Sequence, residues 1–142
     1  MIKNVEFAEK LRTSGLRPTK QRLKICEVLF KRDKTFHFTI NDLAKSLSEK
    51  LNEKISLATV YNTVHAFKQK GYLKEISINS DKSYFDTNTS THHHFFDEDT
   101  NELIDCDEKD IDCINIKRNV PGKKINSVEI LIKIASDNHN QN

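Results

Sequence analysis

Three consecutive histidines, His92, His93 and His94, are the residues of this chain whose type and spacing best suit metal binding. In an extended segment successive side chains alternate between faces, so His92 and His94 share one face and His93 lies on the other. If residues 98–101 form a turn, the returning strand pairs Asp97 with Glu102 and sets Asp105 opposite His94. Two imidazoles and one carboxylate on a single face are typical ligands of a divalent transition metal.

Two further residues could complete this set of ligands. Asp86 lies six residues before His92, and His37 lies upstream in a predicted loop, Phe36-His37-Phe38. Nitrogen and oxygen ligands without a thiolate favour Fe²⁺ or Mn²⁺, and Zn²⁺ can compete for such a site through its affinity. A solvated histidine tract that binds nothing is the alternative interpretation of the same spacing.

A second group of candidates lies between Ser56 and Lys70, a segment with the period of a helix that is followed by Gly71. One side of this helix is apolar and is predicted to be buried, through Leu57, Val60, Val64 and Phe67. The other side is short-chained and polar, which suits a helix that enters the major groove of DNA. The residues that could contact DNA from this helix are Ser56, Ala58, Thr59, Tyr61, Asn62 and His65.

The residue types on this face indicate which bases they would contact. The Asn62 amide can bond N6 and N7 of adenine together, and the methyl groups of Ala58 and Thr59 suit the thymine methyl group. The face carries no arginine to bind guanine, so an A·T-rich site is expected. Phosphate contacts are expected from a basic cluster upstream, Arg17, Lys20 and Arg22, with Arg17 also able to enter a narrow minor groove. An ordinary solvated helix surface is the alternative.

The elements that must position these residues change character at Tyr72. Three helices are predicted before residue 56: Val5 to Ser14, Thr19 to a point before Lys34, and a third capped by Thr39 or Asn41. From 72 to 86, strand-forming residues flank a turn at 79–82, which predicts a hairpin. Helices followed by a two-stranded ribbon are the outline of a winged helix-turn-helix domain.

The second half of the chain favours a mixed domain. A hairpin is predicted over residues 92–97 and 102–106, a helix over 107–119, and a strand over 124–135 in which Val128, Ile130, Ile132 and Ile134 alternate. The predicted fold class is therefore α+β. Its parts are a winged-helix domain at 1–86, a hinge at 87–91, an α/β domain at 92–135 and a disordered tail at 136–142.

The composition narrows the classes of protein further. The chain has no apolar run near the roughly 18 residues of a membrane span and no apolar leader at its N-terminus. A soluble, cytoplasmic protein without a membrane partner is expected. The three cysteines include no C-x-x-C pair, which excludes a four-thiolate zinc site.

Residues 1–86 hold 17 Lys and Arg against 10 Asp and Glu, whereas residues 87–142 hold 6 against 11. A basic half joined to an acidic half indicates a nucleic-acid-binding domain attached to one with another task.

Taken together, these residues resemble the ferric uptake regulator (Fur) family of metal-dependent transcription regulators over nearly the whole chain. The resemblance is carried by residues 15–22 (GLRPTKQR), by residues 56–64 (SLATVYNTV) and by the three histidines. It implies a homodimer formed through the C-terminal domain, with Tyr61 and Asn62 at bases and Arg17 near the minor groove. It also implies a regulatory metal site that falls on His37, Asp86, His92, His94 and Asp105.

The chain departs from the family pattern at two places. Many members hold a structural zinc with two C-x-x-C pairs, and here Asp97 and Thr100 stand where the first pair would be. For a second metal site, or a haem, His93 and Asp112 could contribute, but Ser127 stands near where a further histidine is needed. The three histidines together with the missing cysteines look like the iron response regulator (Irr) branch, whose members respond to haem and iron.

These observations predict a regulator, not an enzyme. The expected function is a homodimeric repressor that binds A·T-rich operator DNA in response to iron, manganese or haem and controls iron and haem homeostasis genes. A peroxide- or manganese-sensing member of the same family is the alternative. From another class, a metallohydrolase could use His92, His94 and Asp105 around an activated water, but no general base is apparent. A DNA-binding module that has lost its sensor is the remaining alternative.

Overall fold

Four helices open the computed structural model, which describes residues 4–51 and 54–137. They are α1 (Asn4–Thr13), α2 (Lys20–Phe30), α3 (Ile40–Leu51) and α4 (Leu57–Gln69). The four predicted helices are thereby confirmed. The chain divides into two units, residues 1–89 and 90–142, and all four helices belong to the first.

Side-chain caps determine where α3 and α4 begin. The Thr39 hydroxyl accepts a hydrogen bond from the backbone N–H of Asp42 at 3.1 Å, which identifies Thr39 and not Asn41 as the cap of α3. The Ser56 hydroxyl accepts the backbone N–H of Thr59 at 3.1 Å in the same way. Each bond satisfies a backbone donor that has no partner inside the first turn of a helix.

A three-stranded antiparallel sheet accompanies the helices of the first unit. Its strands are β1 (His37–Phe38), β2 (Lys74–Ser77) and β3 (Ser83–Asp86), in the order β1-β3-β2. The predicted hairpin at 72–86 is confirmed. The loop predicted at residues 36–38 was wrong, because His37 and Phe38 pair with Asp86 and Phe85 of β3. Two residues are too few to show strand alternation, so only the pairing partner reveals β1.

The core of the first unit joins the helices to this sheet, and α4 contributes one side of its surface to it. Val60, Val64 and Phe67 of α4 are fully buried, as predicted. Leu57 is 53% exposed, so its predicted place in the buried stripe was wrong. It is the first residue of α4, and the apolar cluster takes in α4 only from Val60 onward.

The second unit is built on another three-stranded sheet. Its strands are β4 (His93–Asp97), β5 (Glu102–Cys106) and β6 (Leu131–Ile134), in the order β5-β4-β6. β4 pairs antiparallel with β5 and parallel with β6. The register pairs His94 with Asp105 and Asp97 with Glu102, as predicted. The turn at 98–101 is confirmed, and Asn101 adopts the left-handed conformation there, at φ 59°.

The predicted helix at 107–119 was wrong. A single 3₁₀ turn, Glu108–Asp110, follows the cap Asp107, and residues 111–119 are not helical. Side chains of the segment such as Ile114 and Ile116 are exposed, at 43% and 45%. β-branched and Asn or Asp residues have weak helix propensity, and a short helix forms only when an apolar face packs on something.

The last strand is shorter than predicted. β6 pairs with His94–Asp97 of β4 over Leu131–Ile134 only, and not over 124–135. After the strand, the backbone N–H and the hydroxyl of Ser136 both donate to the Asp99 carboxylate at 2.6 Å. The disordered tail at 136–142 stays a prediction, and residues 138–142 lie outside the described residues.

The three cysteines have different surroundings. Cys26 and Cys106 are buried and Cys113 is exposed. Burial raises the pKa of the Cys26 thiol to about 12. None of the helices in the described ranges is long and apolar enough to cross a membrane.

Candidate metal ligands and nucleic-acid interface

Three predicted ligands of the second unit converge in the structure. Nε2 of His94 and Nε2 of His92 lie 3.3 Å and 3.6 Å from the same oxygen, Oδ1 of Asp105. The two imidazole rings are adjacent, with their centroids 4.4 Å apart. The side chains of His92 and His94 are 11% and 6% exposed, and Asp105 reaches them from the solvent side at 60%. We call these three residues the His–Asp cluster.

The hydrogen bond of His92 prepares this residue for metal binding. Its Nδ1 lies 2.8 Å from the backbone carbonyl of Ser90, which can only accept a hydrogen bond. Nδ1 must therefore carry the proton of the neutral ring, and Nε2 presents its lone pair toward Asp105. Outer hydrogen bonds of this kind fix the tautomer of metal-binding histidines.

His93 has the opposite arrangement. It is 3% exposed, and its Nδ1 accepts the backbone N–H of Ile130 at 3.0 Å. In the neutral ring the proton then sits on Nε2, so neither nitrogen offers a lone pair to a metal or a haem iron. His93 and Asp112 both line a pocket of about 450 Å³. The hydrogen bond of His93 argues against the second metal or haem site predicted on this pair.

The first unit holds the other two predicted ligands, His37 and Asp86. They are direct partners across the β1–β3 pairing, and side chains opposite each other in an antiparallel pair lie on one face. Asp86 is 2% exposed, and its carboxylate accepts the backbone N–H of Asn88 at 2.8 Å. The His37 ring meets Tyr84 edge to face at 6.3 Å. Each unit therefore gathers part of the predicted ligand set.

The donor chemistry of both groups suits a divalent metal ion. Neutral imidazoles and carboxylates bind ions of intermediate hardness such as Fe²⁺, Mn²⁺ and Zn²⁺. The His–Asp cluster supplies two imidazoles whose Nε2 atoms approach one carboxylate oxygen. The potential ligand atoms of the cluster lie within 4.8 Å of one another.

The outward side of α4 forms the candidate nucleic-acid interface. Ala58 and Asn62 are exposed on it, and Tyr61 is 52% exposed. The Tyr61 ring lies 4.1 Å from the half-buried ring of His65, which meets the buried Phe85 of β3 edge to face at 5.4 Å. This stack fixes Tyr61 against the sheet, so His65 supports an exposed neighbour besides being a candidate contact.

The two predicted hydroxyl contacts at the start of α4 also have structural roles. The hydroxyls of Ser56 and Thr59 lie 2.8 Å apart and are hydrogen-bonded, and Ser56 caps the helix. The cap fixes the first turn of α4, whose backbone N–H groups carry partial positive charge. A phosphate at this end of the helix would therefore be favoured.

The residues of the basic cluster upstream also differ in exposure and in structural role. Arg17 and Lys20 are exposed and available for phosphate contacts. Arg22 is half-buried and donates from its guanidinium to the carbonyl of Arg17 at 3.2 Å. Arg22 therefore shapes the turn that presents Arg17.

A clamp that the sequence does not predict ties α4 to the hairpin. Lys68 of α4 donates to Glu75 of β2 at 2.7 Å, and Ser83 of β3 donates to the other oxygen of Glu75 at 3.0 Å. The bond from Lys68 holds the pKa of the Glu75 carboxyl below its usual value, against the opposing effect of burial. Glu75 and Phe85 were missed because their contacts depend on tertiary pairing, and Ser90 was missed because its contact with His92 is made by a backbone carbonyl and not by a side chain.

The chain is similar in sequence to a known family of proteins. Residues 13–133 match the model of the ferric uptake regulator family. The chain is 36% identical over 100 residues to the peroxide operon regulator of Bacillus subtilis, covering 70% of this chain and 67% of that protein. It is 35% identical over 100 residues to a peroxide-responsive repressor of Staphylococcus epidermidis, covering 70% and 65%. The chain thus spans about two thirds of the length of these curated relatives.

A solved structure supports the fold. The ferric uptake regulator of Pseudomonas aeruginosa, determined with manganese, aligns with a TM-score of 0.66 over 92% of this chain and 97% of that one. The identity is 24%. The agreement therefore concerns the α+β architecture, with a helical N-terminal region and a sheet-containing C-terminal region.

Proposed function

The chain belongs to the ferric uptake regulator family, whose members are metal-responsive transcription regulators and not enzymes, and we propose that it is a homodimeric, metal-dependent repressor of A·T-rich operators. The observation that carries the proposal is the convergence of His92 and His94 on Asp105, with Ser90 holding His92 in the tautomer that a metal requires. A solvated histidine tract would need neither burial nor a fixed tautomer.

We propose that His37 and Asp86 complete the ligand set of the His–Asp cluster. His37 and Asp86 face each other in the first unit, and Asp86 precedes His92 by only six residues. Six residues span at most about 20 Å when extended, so the two groups of ligands are tethered at short range. An ion bound to both groups would restrict the proposed hinge at 87–91, between a DNA-binding domain at 1–86 and a dimerisation and metal-sensing domain at 92–135.

Fe²⁺ or Mn²⁺ is the proposed resident ion, and Zn²⁺ can occupy the site in vitro. Three imidazoles and two carboxylates without a thiolate match the preference of these ions. When bound, the ion supplies a charge that all five side chains share, and Fe²⁺ adds the capacity to react with peroxide. The protein orients the ligands: Ser90 fixes His92, and Asn88 bonds the Asp86 carboxylate.

The signal that the protein detects has two candidates. Peroxide is favoured by the names of the two curated relatives, both of which are peroxide regulators. Iron or haem, the signal of the Irr branch, is favoured by the three histidines together with the absence of any C-x-x-C pair. Since His93 uses its Nδ1 as an acceptor, haem would have to bind elsewhere than on this residue.

The DNA contacts are proposed to come from α4 and the basic cluster. Tyr61 and Asn62 would contact bases, Ala58 and Thr59 thymine methyl groups, and Arg17 the minor groove. The remaining contacts, to phosphates, are assigned to Lys20, Arg22, Ser56 and His65. Their support is the exposed outward side of α4 and the positive charge of residues 1–86.

The experiment that tests the proposal couples metal content to operator binding. Purified protein is stripped with a chelator, and its operator is selected from random duplex DNA in the presence of Fe²⁺ without oxygen, or of Mn²⁺. Binding to that operator is then measured with and without each ion, and after addition of peroxide. We expect metal to change operator affinity at least tenfold. Identical affinities under all conditions would show a DNA-binding protein that has lost its sensor.

A further inference from the structure

We propose that Leu57 is a specificity-determining residue that contacts the 5-methyl group of a thymine in the operator. The inference rests on the proposed function, because it requires α4 to lie in the major groove. The inference assigns a DNA contact to an apolar side chain whose exposure is not explained by packing within the unit.

The exposure of Leu57 separates it from the other apolar residues of α4. Val60, Val64 and Phe67 are fully buried, whereas Leu57 is 53% exposed. Residues four apart lie on the same side of a helix, which makes Leu57 the neighbour of Tyr61, itself 52% exposed. The outward side of α4 therefore begins with a leucine and a tyrosine, and Ala58 is exposed beside them.

The position of Leu57 along α4 is the one that base contact requires. A recognition helix contacts base edges mainly with residues near its N-terminus. Leu57 is the first residue of α4, and the Ser56 cap fixes that turn. Tyr61 packs on the ring of His65, and His65 in turn packs on Phe85 of β3. Leu57 thus occupies the leading end of a rigid surface.

The positive charge of residues 1–86 favours DNA as the partner of Leu57. Lys54 is exposed three residues before it, and Arg17 and Lys20 are exposed in the same unit. Residues 1–86 carry 17 basic side chains against 10 acidic ones. Among the bases, only thymine presents a methyl group in the major groove. An exposed apolar side chain at the start of α4, within a positively charged segment of the chain, matches that group.

Deoxyuridine provides the test, because it differs from thymidine only by the missing methyl group. Each thymine of the selected operator is replaced in turn, and dissociation constants are measured by fluorescence anisotropy. For the wild type we expect at least one position per half-site to weaken binding about fourfold, the equivalent of about 0.8 kcal/mol for one buried methyl-sized group, and one such penalty to depend on Leu57. Leu57→Ala should bind the operators with thymidine and with deoxyuridine at that position equally tightly.

Two control variants make the result specific. Thr59→Ser removes a competing methyl group but keeps the hydroxyl that bonds Ser56, so it should retain the penalty at the Leu57 position. Leu57→Met keeps an apolar side chain and should retain most of the penalty for deoxyuridine at that position. Circular dichroism and thermal unfolding verify that each variant is folded.

Three outcomes would overturn the inference. In the first, Leu57→Ala keeps the wild-type penalty at every thymine. In the second, it weakens binding to operator and random DNA equally, which would indicate a backbone contact. In the third, the wild type selects no sequence at all, which would overturn the proposed function and the inference with it. The first two leave the proposed function intact, so the failures are distinguishable.

Discussion

The adjacent residues His92 and His93 carry the proton of the neutral ring on different nitrogens. His92 donates from Nδ1 to the Ser90 carbonyl, and His93 accepts at Nδ1 from the Ile130 N–H. Strand alternation predicts that the two side chains lie on opposite faces, but it does not predict their tautomers. The tautomers follow from backbone groups: a carbonyl two residues before His92, and for His93 an N–H that the folded sheet brings near. One histidine is thereby prepared to bind a metal and the other holds the sheet together.

The carboxylate of the His–Asp cluster provides the sharpest test at this scale. Asp105→Asn removes the charge that both imidazoles approach, so we expect Mn²⁺ affinity to fall at least tenfold in titration calorimetry. Asp97→Asn is the matched control on the same hairpin, since its remaining oxygen can still accept from Asp99 and Thr100. Equal affinities for both variants would contradict the assignment of Asp105.

A base contact is tested by Asn62. We expect Asn62→Ala to lose about 1–3 kcal/mol of discrimination at one A·T position, because only the amide bonds adenine at two atoms. Arg17→Ala should instead weaken binding to all sequences and reduce its salt dependence. Competition assays with point-substituted operators at several salt concentrations measure both effects. Equal losses of Asn62→Ala on operator and random DNA would show that Asn62 does not contact a base.

At the scale of elements, local patterns predicted what local physics determines. Capping residues and period-3.6 spacing predicted the four helices, and alternation with a four-residue turn predicted the register that sets His94 opposite Asp105. The register is predictable because a slip of one residue would exchange the two faces of the strand. This one pairing carries most of the candidate metal site.

The elements that the sequence misrepresented depend on distant partners. β1 is defined by its pairing with β3, and the bounds of β6 are defined by its pairing with β4. The helix predicted at 107–119 has a cap at Asp107 but exposed isoleucines beyond it. Leu57 fits the apolar period of α4, yet the apolar cluster does not extend to it. Periodicity reports amphipathic character and not the extent of the core.

The clamp between α4 and the hairpin predicts an acid dependence of stability. Because the folded-state pKa of Glu75 is lowered, its contribution is complete above the unfolded pKa and is lost as the pH falls through the folded value. Glu75→Gln should cost up to about 0.5 kcal/mol at neutral pH, since the pair is partly exposed, and nothing once Glu75 is protonated. Urea unfolding across the acid range measures this, with the exposed Glu9→Gln as control. A constant cost at all pH values would contradict the clamp.

For the whole molecule, the proposed ligand set predicts that metal binding and DNA binding can be separated. His37 is the ligand farthest from the others in sequence, and four ligands remain without it. We expect His37→Ala to weaken metal binding only moderately and to abolish the effect of Fe²⁺ or Mn²⁺ on operator affinity. Parallel calorimetry and anisotropy titrations measure the two quantities. A metal effect of wild-type size in the variant would refute the role of His37.

Dimer assembly is expected not to depend on metal. Without a C-x-x-C pair, dimer stability must come from apolar burial. Partly buried residues at and before β6, Val128, Ile130, Ile132 and Ile134, are the candidates for that surface. We expect sedimentation velocity to show a dimer at micromolar concentration in excess chelator. Dissociation to monomers on removal of metal would indicate a structural ion instead.

The unequal surroundings of the three cysteines make the protein its own probe of local opening. A thiol reagent added to the folded protein reacts with Cys113 at once, because it alone of the three is exposed. Cys26 is fully buried and its pKa is raised to about 12, so it reacts only when the helical core opens. The ratio of the two labelling rates, followed by mass spectrometry, therefore measures the free energy of opening the first unit, with no fluorophore and no substitution.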